Sequence, residues 1–201
     1  RESLGRIMDL ALSTNKAKDY ETAEGIFDFI LENSQDVTTL LRAHQYLLDM
    51  RIERAEKSDY EKIQETYLSL FEQYGLYEPT LSLQISYGNF LAFYDGKPEG
   101  ASEFLKNSLK LPLSKFQEAT VKLKLADILV YQERFNEALI YYSQIQVNLK
   151  NSVISQEARF KVAKTSYYKG DFEWAESQLK ILKSSTSQLI ANDALDLKLL
   201  I

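Results

Sequence analysis

Apolar residues recur along this chain at the spacing of an α-helix. One apolar stripe consists of Leu139, Tyr142, Ile145 and Leu149, interrupted only by Gln146. A second stripe consists of Phe172, Ala175, Leu179 and Leu182. Steps of three and four residues bring side chains to one helical face. Both segments are therefore predicted to be amphipathic helices that bury this face.

Residues that break helices are rare, which predicts long helices joined by short turns. Only 7 Gly and 3 Pro occur in 201 residues. Pro112 follows an apolar segment and is expected to end a helix there. The pattern predicts eleven helices, at about 2–15, 20–32, 37–57, 60–74, 80–94, 99–109, 115–132, 135–149, 155–169, 172–184 and 187–201.

One turn shows how two of these helices are joined. Gly170 suits the residue after a helix end, where a positive φ favours glycine. Asp171 can then cap the N-terminus of the next helix. Ala163 and Ala175 lie on either side of this turn, and small side chains let two helices cross closely. The segment 157–175 therefore predicts a tight helical hairpin.

The same hairpin pattern repeats along the chain. Ala126, Phe135 and Ala138 align without a gap with Ala163, Phe172 and Ala175, 37 residues later. Ala101 lies 37 residues before Ala138, with Gly88 as its small partner. Near the N-terminus, Ala11 and Ala23 flank the turn residues Asp19 and Tyr20. The repeat unit between Ala23 and Ala101 is degenerate, with the turn 57–60 and Ile63 in place of alanine.

This pattern resembles the tetratricopeptide repeat family, which has a small residue in its first helix, a Gly-Asp-Tyr/Phe turn and an alanine early in its second helix. The period here is longer than the family's ~34 residues. The family's Trp is missing from the first helix, and Glu133 replaces the turn glycine in one unit. The resemblance implies an all-α, right-handed α-solenoid of about five helix hairpins plus a terminal helix.

The resemblance implies a single superhelical domain over residues 1–201. Its repeats are expected at about 2–32, 37–74, 80–109, 115–149 and 155–184, with a terminal helix at 187–201. The chain begins at Arg1 and ends at Ile201 within an apolar-periodic segment, so we expect it to be part of a longer protein. It is also similar to uncharacterised bacterial repeat proteins from Bacteroidetes, which implies a periplasmic or envelope-associated location. A cytoplasmic location is the alternative.

Composition and charge exclude several classes of function. The net charge is −5 and basic residues alternate with acidic ones, so nucleic acid is not an expected partner. With no Cys, disulfides and thiol catalysis are excluded. No apolar run approaches the ~20 residues of a membrane span.

No motif indicates catalysis, so we expect neither an enzyme nor a bound cofactor or metal. His44 is the only His and is expected to be an ordinary surface or half-buried helical residue. Carboxylate pairs such as Asp193 with Asp196, or Glu61 with Glu65, are typical of solvated helix faces. The segment 95–100 lacks the ending of a phosphate-binding loop and indicates a turn, with Pro98 near the start of a helix.

The resemblance implies that first helices line a concave groove, with five positions per helix facing a protein or peptide partner. From Ala163 these positions are Glu157, Phe160, Lys164, Tyr167 and Tyr168. From Ala126 they are Thr120, Leu123, Asp127, Val130 and Tyr131, and from Gly88 they are Ser82, Ile85, Asn89, Ala92 and Phe93. The main candidates are Asn89, Phe93, Asp127, Tyr131, Phe160, Lys164, Tyr167 and Tyr168, since grooves combine aromatic anchors with a few charges. Some of these rings are alternatively expected to pack between helices.

Two other functions stay open. The apolar segment 195–201 indicates a structural module that self-associates through an uncapped repeat. The chain is alternatively a recruiting domain of a larger enzyme or envelope assembly, because a helical fold does not fix function. A deep pocket with clustered ionisable groups would favour the interpretation as part of an enzyme.

Overall fold

The computed structural model describes residues 2–182 and 188–200, and over these residues it is built from helices. Eleven α-helices follow one another: α1 Glu2–Lys16, α2 Tyr20–Asn33, α3 Val37–Arg54, α4 Tyr60–Tyr74, α5 Leu81–Phe93, α6 Pro98–Ser108, α7 Lys115–Tyr131, α8 Phe135–Asn148, α9 Val153–Lys169, α10 Phe172–Leu182 and α11 Gln188–Lys198. Short 3-10 helices at Lys57–Asp59 and Glu78–Thr80 lead into α4 and α5.

The helices predicted from the sequence are confirmed, with small differences at their ends. Helix α3 was expected to reach residue 57 but ends at Arg54, because the backbone is extended at Ala55. Helix α9 begins two residues earlier than expected, since Ser152 accepts a hydrogen bond from the Ser155 N–H and caps it. Parts of the two last predicted helices, at 183–187 and 201, lie outside the described residues.

The chain divides into two compact units, Arg1–Lys97 and Pro98–Ile201. In the first, α1 packs on α2, α2 on α3, and α3 on α5. Its core combines small residues with large ones, since Ala11, Ala23, Phe27 and Ile30 are fully buried. The single domain 1–201 expected from the repeat pattern stays a prediction.

In the second unit, each helix from α6 to α11 packs on the next one along the chain, α6 on α7, α7 on α8, and so on. The alanines that define the repeat are completely buried: Ala126, Ala138, Ala163 and Ala175. Small side chains at these positions let helix backbones approach closely, as the pattern predicted. None of the helices in the described part of the chain has the length and apolar character needed to cross a bilayer.

The turn chemistry expected at Gly170 and Asp171 is confirmed. Gly170 has φ of 86°, and the Trp174 N–H donates to Asp171 Oδ1 at 3.3 Å. The Asp171 N–H donates to the carbonyl of Ser166 at 2.8 Å, which ends α9 in a Schellman-type arrangement. Pro98 is the first residue of α6, also as expected.

Phe172, the first member of the second predicted apolar stripe, is exposed instead of buried. Phe172 is 51% exposed, whereas Ala175, Leu179 and Leu182 of the same helix are buried. Phe172 is the first residue of α10, and side chains tilt towards the helix N-terminus. Its ring therefore leaves the core and meets the edge of Tyr167, with centroids 5.5 Å apart.

Candidate partner-binding face

One face of α7 carries exposed aromatic side chains at both ends of the helix. Phe116, Thr120, Asp127 and Tyr131 are spaced four, seven and four residues apart, which places them on one helical face. Phe116 is 61% exposed and Tyr131 58% exposed. An exposed aromatic ring at each end offers two anchor points along the helix.

The matching face of α9 is similarly built. Val153, Glu157, Lys164 and Tyr168 share one side of the helix by the same spacing. Val153 is 61% exposed and Tyr168 53% exposed. The Lys164 ammonium lies 5.9 Å from the centroid of the Tyr168 ring, at the outer limit of a cation–π contact. We call the exposed set of both helices the α7–α9 face; it consists of Phe116, Tyr131, Val153, Lys164 and Tyr168.

A polar triad of one ion pair and a tyrosine hydroxyl ties the two helices together beside this face. The Lys161 ammonium donates to both carboxylate oxygens of Asp127, at 2.8 and 2.9 Å. The Tyr142 hydroxyl of α8 donates to Asp127 Oδ1 at 2.6 Å. Burial raises the pKa of Tyr142, and the Asp127 charge raises it further. The triad therefore holds α7, α8 and α9 in one register.

Some candidate residues of α7 and α9 are exposed, and the others pack against or hydrogen-bond to neighbouring side chains. Tyr131, Lys164 and Tyr168 are exposed. Phe160 and Tyr167 are half-buried and pack against the apolar cluster of α9, α10 and α11. The carboxylate of Asp127 is occupied by Lys161 and Tyr142, so its immediate role is to position helices.

The candidates on α5 belong to the first unit. Phe93 is 39% exposed and Asn89 is half-buried. Ala92, expected to face a groove, is only 1% exposed, which corrects that expectation. The register carried over from Gly88 thus fails at Ala92, because the apolar residues of α5 point into the core on nearly every side.

Sequence reasoning missed Phe116, Val153 and Lys161. A signal for the first two was present, since each lies on the extension of the spacing that selected Asp127 and Lys164. Lys161 follows Asp127 by 34 residues, about one repeat period, and charge complementarity at that distance could have suggested the pair.

The other ionisable candidates from the sequence lie apart from the α7–α9 face. Among the side chains that the structure describes, no three His, Asp or Glu groups lie close enough to hold a metal. His44 is half-buried in α3, as expected, and burial together with the Arg51 charge lowers its pKa. The carboxylates of Glu61, Glu65, Asp193 and Asp196 are on exposed residues.

Comparison with known proteins gives likeness in structure but not in sequence. No family model matches the chain, and no curated protein matches it in sequence. The type IV pilus biogenesis factor PilW is 16% identical with a TM-score of 0.69, covering 99% of this chain and 90% of PilW.

Two of the similar structures are tetratricopeptide repeat proteins. TTC0263 from Thermus thermophilus is 17% identical with a TM-score of 0.66, covering 98% of this chain and 100% of that one. YrrB, described as having an unusual peptide-binding site, is 15% identical with a TM-score of 0.56, covering 94% and 90%. The similarity to Bacteroidetes proteins and the location stay predictions. The chain has an all-α helical-repeat fold of the kind found in tetratricopeptide repeat proteins, which confirms the fold class expected from its sequence.

Proposed function

We propose that this chain is a non-catalytic scaffold of the tetratricopeptide repeat family that binds a protein or peptide segment on the α7–α9 face. The observation that carries the proposal is the exposure of aromatic rings, a valine and a lysine on two helices of one unit. Exposed apolar side chains that share one face are typical of interaction sites. Aromatic anchors also contribute most of the binding energy in many interfaces.

The rigid support of this face favours the same function. Asp127, Lys161 and Tyr142 fix α7 and α9 before a partner arrives, so little conformational freedom is lost on binding. The half-buried rings of Phe160 and Tyr167 add apolar surface on α9. YrrB, with its peptide-binding site, provides a structural precedent on this fold.

The proposal is tested by removing the exposed anchors together. The variant Tyr131→Ala/Lys164→Ala/Tyr168→Ala keeps the buried core intact, so we expect it to fold like the wild type. Affinity purification from the native cell, followed by quantitative mass spectrometry, should show at least a tenfold loss of the specific partners. The matched control, Ile140→Ala/Val147→Ala/Lys150→Ala, removes three exposed side chains near or on α8 and should retain them. Equal recovery with both variants would refute binding on this face.

The α5 candidates need a separate experiment because they lie in the other unit. The variant Asn89→Ala/Phe93→Ala removes one half-buried and one exposed side chain of α5. If α5 also contacts the partner, recovery in the same purification falls while the α7–α9 face is unchanged. Full recovery assigns the contact to the α7–α9 face alone.

Self-association is a second candidate function, favoured by the leucines of the C-terminal segment. Leu195 is 47% exposed, Leu199 85% and Leu200 68%. Leucines exposed side by side favour contact with another apolar surface. Light scattering after size exclusion should then show a dimer mass that the Leu195→Lys/Leu199→Lys variant reduces to that of a monomer. A monomeric wild type at 100 µM would exclude this alternative.

A further inference from the structure

A cleft of about 400 Å³ opens in the first unit where the end of α3 meets the start of α4. Its apolar lining includes Leu48 and Ile63, which are 3% and 6% exposed. Three cationic side chains line it as well: Arg51, Arg54 and Lys62. The cleft thus combines an apolar floor with positive charge.

Both carboxylates that line the cleft are already engaged. Glu24 Oε1 accepts a hydrogen bond from Arg51 Nε at 2.7 Å. Asp59 Oδ2 accepts one from the Glu56 N–H at 2.9 Å and so caps the short helix before α4. Among the described side chains, neither Arg54 nor Lys62 forms a salt bridge. Within the described part of the chain, two cations without an acidic partner therefore face this cleft, although the net charge is −5.

Helix electrostatics explains one of these cations and not the other. Arg54 lies in the last turn of α3, where the helix dipole favours positive charge. Lys62 lies in the first turn of α4, where the same dipole disfavours a positive charge. The N-cap Asp59 and Glu61 offset the dipole at this helix end, so the attraction of the cleft for an anion comes from the Arg54 and Lys62 side chains themselves.

The Arg54 side chain is held in place by an aromatic ring. Its guanidinium carbon lies 4.7 Å from the centroid of the Tyr20 ring. Stacking on a ring occupies the face of the guanidinium and leaves its N–H edge available for a carboxylate. Arg54 is thereby oriented in advance for an acidic group.

We propose that this cleft binds an acidic peptide segment, with carboxylates on Arg54 and Lys62 and an apolar side chain on Leu48 and Ile63. A peptide fits better than a simple phosphate, which would leave the apolar floor unused. The site lies wholly within the first unit and does not depend on the α7–α9 face. It gives the scaffold a second docking position with its own selectivity for charge.

The test is an NMR titration of the intact 201-residue protein with the peptide acetyl-Glu-Leu-Asp-Glu-Leu-Asp-amide at low salt. We expect saturable shifts of backbone amide signals in segments 48–55 and 59–66. The neutral peptide acetyl-Gln-Leu-Asn-Gln-Leu-Asn-amide should bind at least fivefold more weakly. Absent shifts, or equal affinity for the two peptides, would overturn the proposal.

Variants separate the two cations from general charge effects. Arg54→Gln/Lys62→Gln should weaken the acidic peptide at least fivefold, while Lys115→Gln/Lys150→Gln, two exposed cations of the second unit, should not. If the double variant fails to fold, Lys62→Gln alone is decisive, because Lys62 is exposed and the change leaves the core intact. Unchanged affinity of Lys62→Gln would overturn the assignment. So would inorganic phosphate that produces the same shifts and displaces the peptide at equal concentration.

Discussion

At three equivalent turns, the residue after the first helix has a left-handed backbone, although only one of these three residues is glycine. Gly170 has φ of 86°, and Lys18 and Glu133 occupy the equivalent positions with φ of 63° and 59°. At each turn, the next residue's N–H donates to the carbonyl five positions earlier, at 3.2 Å or less. The hydrogen bonds thus require this conformation, which costs a non-glycine side chain ~1–2 kcal/mol.

Replacing Glu133 by Gly should therefore stabilise the protein. We expect Glu133→Gly to raise the free energy of unfolding by about 0.5–1 kcal/mol, because relief of the strained φ outweighs the entropy cost of glycine. Gly170→Ala should lower it by about 1 kcal/mol. Urea denaturation followed by circular dichroism measures both. Ser143→Gly, at an exposed position within α8, should destabilise; a similar loss in Glu133→Gly would contradict this account.

His44 provides a single-residue probe of the first unit, since it is the only His. Burial, and secondarily the Arg51 charge, lower its pKa below the ordinary value of 6.5. The unfolded chain therefore takes up the proton first as pH falls. The stability that neutral His44 contributes is present above pH 6.5 and is lost as pH falls through the lower, folded pKa.

The proton NMR titration of the one imidazole ring should show a midpoint below 6.5. Arg51→Gln should move this midpoint upwards but not fully to the ordinary value, because burial is the larger cause. A wild-type midpoint at or above 6.5 would refute the assignment. So would an Arg51→Gln midpoint that returns fully to 6.5, because burial would then contribute nothing to the lowered pKa.

At the scale of helices, a buried polar chain connects three elements of the first unit. The hydroxyls of Tyr67 on α4 and Ser86 on α5 are hydrogen-bonded at 2.5 Å, and the Ser86 hydroxyl donates to Asp49 Oδ1 on α3. Gln45 donates to the second oxygen of Asp49 at 3.0 Å. This series of hydrogen bonds therefore fixes the positions of α3, α4 and α5 relative to one another.

Breaking this series of hydrogen bonds should destabilise the first unit, although the substitution removes only one hydroxyl group. Ser86→Ala leaves the Tyr67 hydroxyl without its partner in the core, which costs about 1–3 kcal/mol. Ser82→Ala, at an exposed position of the same helix, is the control and should change the free energy of unfolding little. An equal effect of the two substitutions in urea denaturation would contradict the role of the chain.

The Tyr67 hydroxyl also predicts sensitivity to alkaline pH. Burial raises its pKa well above the usual value of 10, so the unfolded chain loses the proton first. Stability from Tyr67 is therefore present below pH 10 and is lost as pH rises above it. Tyr67→Phe, compared with wild type at pH 9 and pH 11, should show a smaller loss of melting temperature across that interval. Identical losses would refute this contribution.

The Asp127–Lys161 pair is the corresponding link in the second unit. Both side chains are about three-quarters buried, so the pair should couple more strongly than an exposed one. A double-mutant cycle with Asp127→Asn and Lys161→Gln should give about 1 kcal/mol or more. The more exposed pair Arg134–Glu137 should give a smaller value, because solvent screens it. Equal coupling energies would show that the partial burial of Asp127 and Lys161 does not strengthen their interaction.

These links mark the limit of what the sequence could predict. Helix positions and the buried alanines follow from local periodicity, because spacing and turn residues act over a few positions. Ser86 was not recognisable as a linking residue, since its acceptor Asp49 lies 37 residues away. The Asp127–Lys161 pair, by contrast, had a signal in its charges and its spacing of 34 residues. The repeat register also selects both Tyr131 and Tyr167, yet one is exposed and the other packs against the core. Which of the two occurs depends on the neighbouring helix.

At the scale of the whole molecule, the two units carry different features. The α7–α9 face lies in the second unit. The cleft lined by Arg51, Arg54 and Lys62, here called the cationic cleft, lies in the first. In helical-repeat proteins each element contacts mainly its neighbours, so stability is a sum of local terms. A disturbance in one unit should therefore leave much of the other intact.

Leu125→Ala tests this independence. Leu125 of α7 is completely buried, so the cavity should cost about 2–5 kcal/mol. Because contacts are local, hydrogen exchange should accelerate mainly in α6 to α11, whereas α1 to α3 keep their wild-type protection. Phe27→Ala, at a buried position of α2, is the reciprocal control and should accelerate exchange in α1 to α3. If either substitution accelerates exchange evenly along the chain, the two units unfold as one cooperative body, and a partner bound to the α7–α9 face would then also stabilise the cationic cleft.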